Sequence, residues 1–310
     1  MNRTATAALA VTFSLLAAGS ALADTRSWTA VKKIVGKDDT VLIGNDLARL
    51  RTTTAYQQGM TLFLDSEPDA KQVFAMVKDA CGFDVMTSVS DITVVMQDGG
   101  DHPLISFGLD GIDEAKVVAC LGLVAGKMTD TPGVKLTGKK IGKITEYSVK
   151  GEKKKLYAAW LAKDVLTFTD DANDRKKLEK RLAGRGAKGD LAKFLGRTST
   201  AAPFWFAVAK REKEDGRLIL GGHGKLELAG GLFKAAGAIV MSKPAEAVEM
   251  VAEGTEGLGQ AKKEIGAKSP ELLRVLNTVT MTAAGAEVVI TGTIADKDFA
   301  AIVPKLDELL

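Results

Sequence analysis

The two cysteines of this 310-residue chain are the residues whose types and surroundings predict a definite chemistry. Cys81 ends a stretch whose apolar residues recur at the spacing of one helical face, namely Ala70, Val73, Phe74 and Val77. Cys120 belongs to a second such stretch, which starts near Asp113 and includes Val117, Leu121 and Val124. Because both faces favour burial and can meet, we predict a disulfide between Cys81 and Cys120 that joins two helices. Two buried thiols are the alternative.

Residues for nucleophilic catalysis are sparse. A nucleophile needs an adjacent base, usually a histidine, and the chain has only His102 and His223, both in predicted loops. The motifs G-x-S-x-G and S-x-x-K do not occur. We therefore predict a protein that is not an enzyme. An exported hydrolase that uses a pair of carboxylates stays open as an alternative, because 39 acidic residues offer many pairs.

No stretch of the sequence has the residue spacing of the metal-binding or phosphate-binding motifs that we considered. The sequence has no H-E-x-x-H or C-x-x-C, and the acidic run from Asp170 to Asp174 lacks the glycine and final glutamate of a calcium loop. The stretch from Gly221 to Lys225 resembles a phosphate loop, but Ile219 and Leu226 stand where that motif needs glycine and a hydroxyl. No metal and no cofactor are predicted.

Charge is distributed unevenly along the chain. The segment from Lys135 to Arg217 holds 22 Lys and Arg against 11 Asp and Glu, a net charge of +11, while the rest of the chain carries −8. We predict an anion-binding face formed by Lys153, Lys154, Lys155, Arg175, Lys176, Lys177, Lys180 and Arg181. Its expected partner is an anionic lipid or acidic glycan surface rather than nucleic acid, which is not expected outside the cytoplasm. The alternative is that the acidic flanks neutralise the basic segment.

The first 23 residues have the pattern of a secretory signal peptide. Arg3 is followed by an apolar run and by Ala21-Leu22-Ala23, a small-residue cleavage pattern, so Asp24 is the predicted first residue of the mature protein. The apolar run is shorter than the roughly 18–20 residues of a membrane span, and no later stretch is long enough. We expect a protein exported to the periplasm or beyond.

Hydrophobic patterning predicts an α+β fold. Strands are predicted at 40–44, 92–96, 104–109, 156–161, 165–169, 203–209, 225–228, 235–241, 279–282 and 287–291. Helices are predicted at 66–81, 113–127, 173–183, 244–266 and 296–309. The order of elements repeats weakly, which predicts two related units of antiparallel sheet covered by helices on one face, at 24–200 and 201–310.

A helix ends in the motif Cys81-Gly82-Phe83-Asp84, and a strand pair and a helix with the second cysteine follow. In this order of its elements, the chain resembles exported bacterial proteins of unknown function. Those proteins are built from two related α+β units. The resemblance covers most of the mature chain and implies a fold but no activity. The function predicted from all of these patterns is that of an exported, non-enzymatic binding or scaffold protein. A carrier of an apolar or amphiphilic ligand, held between sheet and helices, is a second possibility beside the hydrolase.

Overall fold

The computed structural model describes residues 23–97, 103–128, 136–149, 155–169, 172–184, 186–266 and 269–305. The predicted signal peptide up to residue 22, together with His102, Lys153 and Lys154, lies outside these ranges. Predictions that concern only those residues therefore stay predictions.

Helices and strands alternate irregularly along the described chain. The α-helices are α1 (Arg26–Val31), α2 (Leu47–Leu50), α3 (Thr54–Ser66), α4 (Pro68–Cys81), α5 (Val85–Ser88), α6 (Glu114–Met128), α7 (Ala172–Leu182), α8 (Gly189–Leu195), α9 (Pro244–Gly266), α10 (Pro270–Leu276) and α11 (Asp296–Ile302). The strands are β1 (Asp39–Asp46), β2 (Val89–Gln97), β3 (Leu104–Leu109), β4 (Leu136–Ile141), β5 (Ile144–Val149), β6 (Lys155–Ala162), β7 (Val165–Thr169), β8 (Phe204–Val208), β9 (Glu212–Glu214), β10 (Arg217–Ala229), β11 (Leu232–Met241), β12 (Thr280–Ala284) and β13 (Glu287–Ala295).

All thirteen strands join one sheet, in the order β12-β13-β11-β10-β8-β1-β2-β3-β7-β6-β5-β4, with β9 paired to β10. The pairings of neighbouring strands are antiparallel, as in β1 with β2 and β1 with β8. This confirms the predicted α+β class, because antiparallel neighbours can be joined by short hairpins while helices pack on the sheet.

The two halves of the chain occupy opposite ends of this sheet. Strands β1 to β7 lie on one side and β8 to β13 on the other, and the halves meet where β1 pairs with β8. From that junction outward, the first half runs β1-β2-β3-β7-β6-β5-β4 and the second runs β8-β10-β11-β13-β12. In both the β6–β7 hairpin and the β12–β13 hairpin, the second strand lies nearer the junction. The domain limits at residue 200 stay a prediction, since the sheet is continuous across them.

The sheet has two faces with different cores. The back face, defined by Leu42, Val95 and Trp205, is covered in the first half by α1, α7 and α8. Trp28 of α1 packs edge-on against Trp205, with 4.8 Å between ring centroids. Gly44 pairs with Trp205 on the neighbouring strand, and a Cβ at Gly44 would lie 2.2 Å from the indole. Gly44 therefore makes room for the largest side chain of this core.

The front face is the opposite one and carries Ile92 and Phe107. In the second half, α9 packs on this face through Ala247 and Val251 against Val288. In the first half, the front face is covered by α3, α4 and α6. The sheet thus has the predicted helical cover on its front face, and the structure adds α1, α7 and α8 on the back.

Candidate ligand-binding site

The predicted disulfide is present and lies above the front face. Cys81 at the end of α4 is bonded to Cys120 of α6, and their Cα atoms are 5.0 Å apart. That separation is within the range that a disulfide needs. The bond makes α4 and α6 a covalently linked pair of helices over the sheet.

Local sequence explains how α4 forms, with one correction. Pro68 stands in the first turn, where a missing N–H costs nothing, and Gly82 ends the helix with φ of 70°. The helix predicted from residue 66 begins at Pro68, because Ser66 belongs to α3 and donates a hydrogen bond to the carbonyl of Phe63. Glu67 takes the N-cap position without a side-chain bond.

The predicted burial of the apolar face of α4 is wrong. None of its residues is fully buried, and Val73 is 43% exposed. In place of a packed contact with the sheet, Phe74 and Val77 border a cavity. The helix stands off from the strands, so the inner part of its apolar face borders the cavity rather than the sheet.

This cavity has a volume of about 560 Å³ and lies between the front face and α3, α4 and α6. The sheet contributes the floor, namely Ile92, Phe107, Leu109, Leu166 and Phe168. The helices contribute the roof, namely Tyr56, Met60, Phe74, Val77, Val117, Cys120 and Leu121. We call this space the apolar cavity.

None of the described residues that line the apolar cavity carries a charge. Its polar side chains are the hydroxyls of Tyr56 and Ser88, and the other lining residues are aliphatic, aromatic or sulfur-containing. Phe168 marks an opening to solvent, because it is 46% exposed while it stacks on Phe107 at 5.7 Å between ring centroids. Water in such a space finds few hydrogen-bond partners, so an apolar occupant is favoured.

The roof is held at its ends. The carboxylate of Asp296, at the start of α11, accepts hydrogen bonds from the backbone N–H groups of Thr54 (2.7 Å) and Ala55 (2.8 Å), which begin α3. Burial acts to raise the pKa of Asp296, but these bonds outweigh it and the pKa is lowered. The disulfide fixes the far end of α4. The apolar cavity is therefore kept open by anchored helices.

The predicted anion-binding face is only partly a free surface. Lys155 is paired with Glu146 at 2.9 Å, and Arg175 with Glu179 at 2.8 Å. Lys176 and Lys180 are exposed, whereas Lys177 is half-buried and takes part in another interaction. An anionic partner for these residues stays a prediction.

Arg181 does not belong to an external face, contrary to expectation. Its side chain is 7% exposed and bonds at 2.9 Å to Asp39, which is fully buried and also accepts the backbone N–H of Gly36. Arg181 follows Leu178 by three residues and precedes Leu182, so helical spacing alone puts it on the inward face. The spacing therefore indicates that Arg181 faces inward, but it does not identify Asp39 as the partner, because Asp39 is 142 positions away in sequence.

Of the two histidines considered for catalysis, only His223 lies among the described residues. His223 was expected in a loop, but it lies within strand β10 and is half-buried, and its Nε2 has no hydrogen-bond partner among the described residues. Burial lowers the pKa of His223, against the opposing charge of Glu287. Among the described residues, no group of three or more His, Cys, Asp or Glu is placed to hold a metal ion.

The sequence matches no protein-family model and no curated protein. Among solved structures, crystal form III of TP0453 is similar at a TM-score of 0.47 and 10% identity, over 88% of this chain and 97% of that one. Crystal form IV of TP0453 gives a TM-score of 0.46 at 10% identity, over 90% and 99% of the two chains. At these values the similarity identifies no family and transfers no activity. No helix within the described ranges is long and apolar enough to cross a membrane.

Proposed function

We propose that this protein is a non-enzymatic carrier or receptor for an apolar or amphiphilic small molecule, which it holds in the apolar cavity. The observation that carries the proposal is a cavity of about 560 Å³ whose described lining contains no charged group. Ligand pockets commonly span about 300–1,000 Å³ and are lined mainly by apolar and aromatic side chains.

The lining also favours binding over catalysis. Within the described part of the chain, no histidine, carboxylate or ammonium group borders the apolar cavity, so the hydroxyls of Ser88 and Tyr56 have no base beside them there. The two hydroxyls can orient a polar group of an amphiphile. Met60 and Met86 add flexible, polarizable surface that adapts to different ligand shapes. A ligand class defined by hydrophobicity and size, with broad selectivity, fits this lining.

The proposal includes export from the cytoplasm. The disulfide supports this, because such bonds persist in oxidising compartments, and the N-terminal pattern ending at Ala23 supports it independently. Edman sequencing of the protein recovered from its own host should give Asp24 as the first residue. A mature protein that starts at Met1 would contradict this part of the proposal.

Binding is tested with N-phenyl-1-naphthylamine, a neutral probe that fluoresces in apolar surroundings. We expect saturable binding with a negative heat-capacity change in calorimetry, the mark of apolar burial. Val77→Trp places an indole in the apolar cavity and should weaken binding by about tenfold, which corresponds to roughly 55 Å² of lost apolar contact at about 25 cal/mol per Å².

The matched control is Val73→Trp, which adds the same indole to the exposed side of the same helix. It should leave the probe affinity unchanged. Equal effects of the two substitutions, or no saturable binding to the wild-type protein, would contradict the proposed function. As an independent test, native mass spectrometry of wild-type protein purified from its host should show a retained small molecule that is absent from Val77→Trp.

A further inference from the structure

A second cavity of about 560 Å³ lies at the end of strands β5 and β6, and it shares no lining residue with the apolar cavity. Its walls come from five parts of the chain: α1 with the turn that follows it, the start of α6, the β4–β5 hairpin, the end of β6 and the end of α7. The side chains that define it are Lys33, Lys140, Lys143, Thr145, Trp160 and Leu161. We call it the lysine cleft.

The lysine cleft has an excess of positive charge. Lys33, Lys140 and Lys143 are exposed, and none of them forms an ion pair with any described residue. Lys143 donates a hydrogen bond to the carbonyl of Leu182 at 3.3 Å, which anchors one ammonium group at the wall. All three lysines line one concavity, although Lys33 lies more than 100 positions from Lys140 and Lys143 in the sequence.

One acid borders the same space. Glu114 lines the lysine cleft, but its carboxylate accepts the hydroxyl of Tyr147 at 3.0 Å. Burial and this bond raise the pKa of Tyr147, so the phenol keeps its proton and remains the donor. Against three lysines, the named lining therefore keeps two positive charges. A concave wall of low dielectric concentrates such a field and raises the local concentration of anions.

The same walls also carry an apolar surface. Trp160 is half-buried, and Ala30, Ile34 and Leu161 lie beside the lysines. An indole with one accessible side offers a flat contact for an aromatic or aliphatic group. The combination recognises a molecule with two parts, one anionic and one apolar.

We infer that the lysine cleft binds an organic anion, in which a phosphate, sulfate or carboxylate group meets Lys33, Lys140 and Lys143 and an apolar group lies against Trp160. This site is separate from the apolar cavity and does not depend on the proposed carrier function. It also differs from the predicted basic face, because it takes Lys33 from the turn after α1 and omits all eight residues of that face.

The local field is tested by tryptophan fluorescence. The chain has three tryptophans, and Trp28 and Trp205 are 3% and 0% exposed, so aqueous quenchers reach mainly Trp160. The quenching constant of each ion is divided by its quenching constant for free N-acetyltryptophanamide, and this ratio should be larger for iodide than for caesium. Lys33→Gln/Lys140→Gln/Lys143→Gln should abolish this preference. Lys213→Gln/Lys234→Gln/Lys263→Gln removes three exposed charges elsewhere and should retain it.

Ligand binding is tested by calorimetry at about 0.15 M salt, where exposed charges are screened beyond roughly 8 Å. We expect 1-naphthyl phosphate to bind at least about tenfold more tightly than inorganic phosphate or neutral 1-naphthol, since only the first satisfies both parts of the cleft. The Lys33, Lys140, Lys143 triple variant should lose this binding, whereas the Lys213, Lys234, Lys263 variant and Val77→Trp should retain it.

Several results would overturn the inference. Binding of 1-naphthyl phosphate that survives the cleft triple variant would place the ligand elsewhere. Loss of binding in Val77→Trp would assign the probe to the apolar cavity. Equal affinity for inorganic phosphate would remove the role of Trp160, and no preference for iodide would show that the lysines create no local field.

Discussion

Removal of the disulfide should affect both the stability of the fold and the apolar cavity. The bond between Cys81 and Cys120 closes a loop with a sequence separation of 39, which contains the central strands β2 and β3. In the chain-entropy description, opening a loop of this length frees the unfolded chain and lowers the free energy of unfolding by about 4 kcal/mol. Most single substitutions cost far less.

The perturbation is Cys81→Ala/Cys120→Ala, studied by urea unfolding at neutral pH in the mature protein. Cys120 is 6% exposed, so part of the loss comes from packing rather than from the cross-link. Wild-type protein kept reduced retains both sulfur atoms and isolates the effect of the cross-link. We expect the reduced wild type to show most of the loss of about 4 kcal/mol, and the double variant to lose slightly more.

A local effect should accompany the global one. Because no residue of α4 is fully buried, this helix has little packing of its own and depends on the bond to α6. Amide hydrogen exchange in α4 should therefore rise in both reduced protein and double variant under conditions where β2 stays protected. Binding of N-phenyl-1-naphthylamine should weaken with it. A change of less than about 1 kcal/mol in unfolding, or unchanged exchange in α4, would refute this account of the roof.

Two further predictions concern charges that the fold holds in place. Asp39→Asn removes the carboxylate charge that faces the buried Arg181 and should lower the free energy of unfolding by about 3–5 kcal/mol. The double variant Asp39→Asn/Arg181→Met should recover part of this loss. Equal losses in the two variants would contradict the ion pair. The pKa of Asp296 is lowered from its ordinary value of 3.8 in the folded state, so its contribution to stability is present above that pH and is lost as the pH falls through the lower folded value. The difference in free energy of unfolding between the wild type and Asp296→Asn, measured with urea, should therefore be constant from pH 7 to about 5 and should close in strong acid. A difference that is independent of pH would show that the bonds to Thr54 and Ala55 do not depend on the charge.

Several elements could be predicted from local sequence because their causes are local. Gly82 ends α4 in a left-handed conformation, and Pro244 and Pro270 stand at the first positions of α9 and α10. The long helix α9 continues through its three glycines to Gly266, since packing on the sheet offsets their low helix propensity.

The candidate site could be predicted only in part. Cys81 and Cys120 were found because each ends or occupies an apolar helical face. The same periodicity misled for α4, because a pattern of apolar residues shows that a face avoids water but not whether another surface reaches it. Val77 therefore borders a cavity although its spacing is that of a core residue.

The sequence by itself determined the class of the fold, the order of most of its strands and of five helices, and the pairing of its only two cysteines. These follow from hydrophobic period, turn residues and composition, which act over a few positions. Only the tertiary structure decided that β1 and β8 join the halves, that Arg181 meets Asp39, and that Lys33 lies beside Lys140 and Lys143. Each of these depends on contacts between segments more than 100 positions apart, whose distance is set by how whole elements pack and not by any local preference.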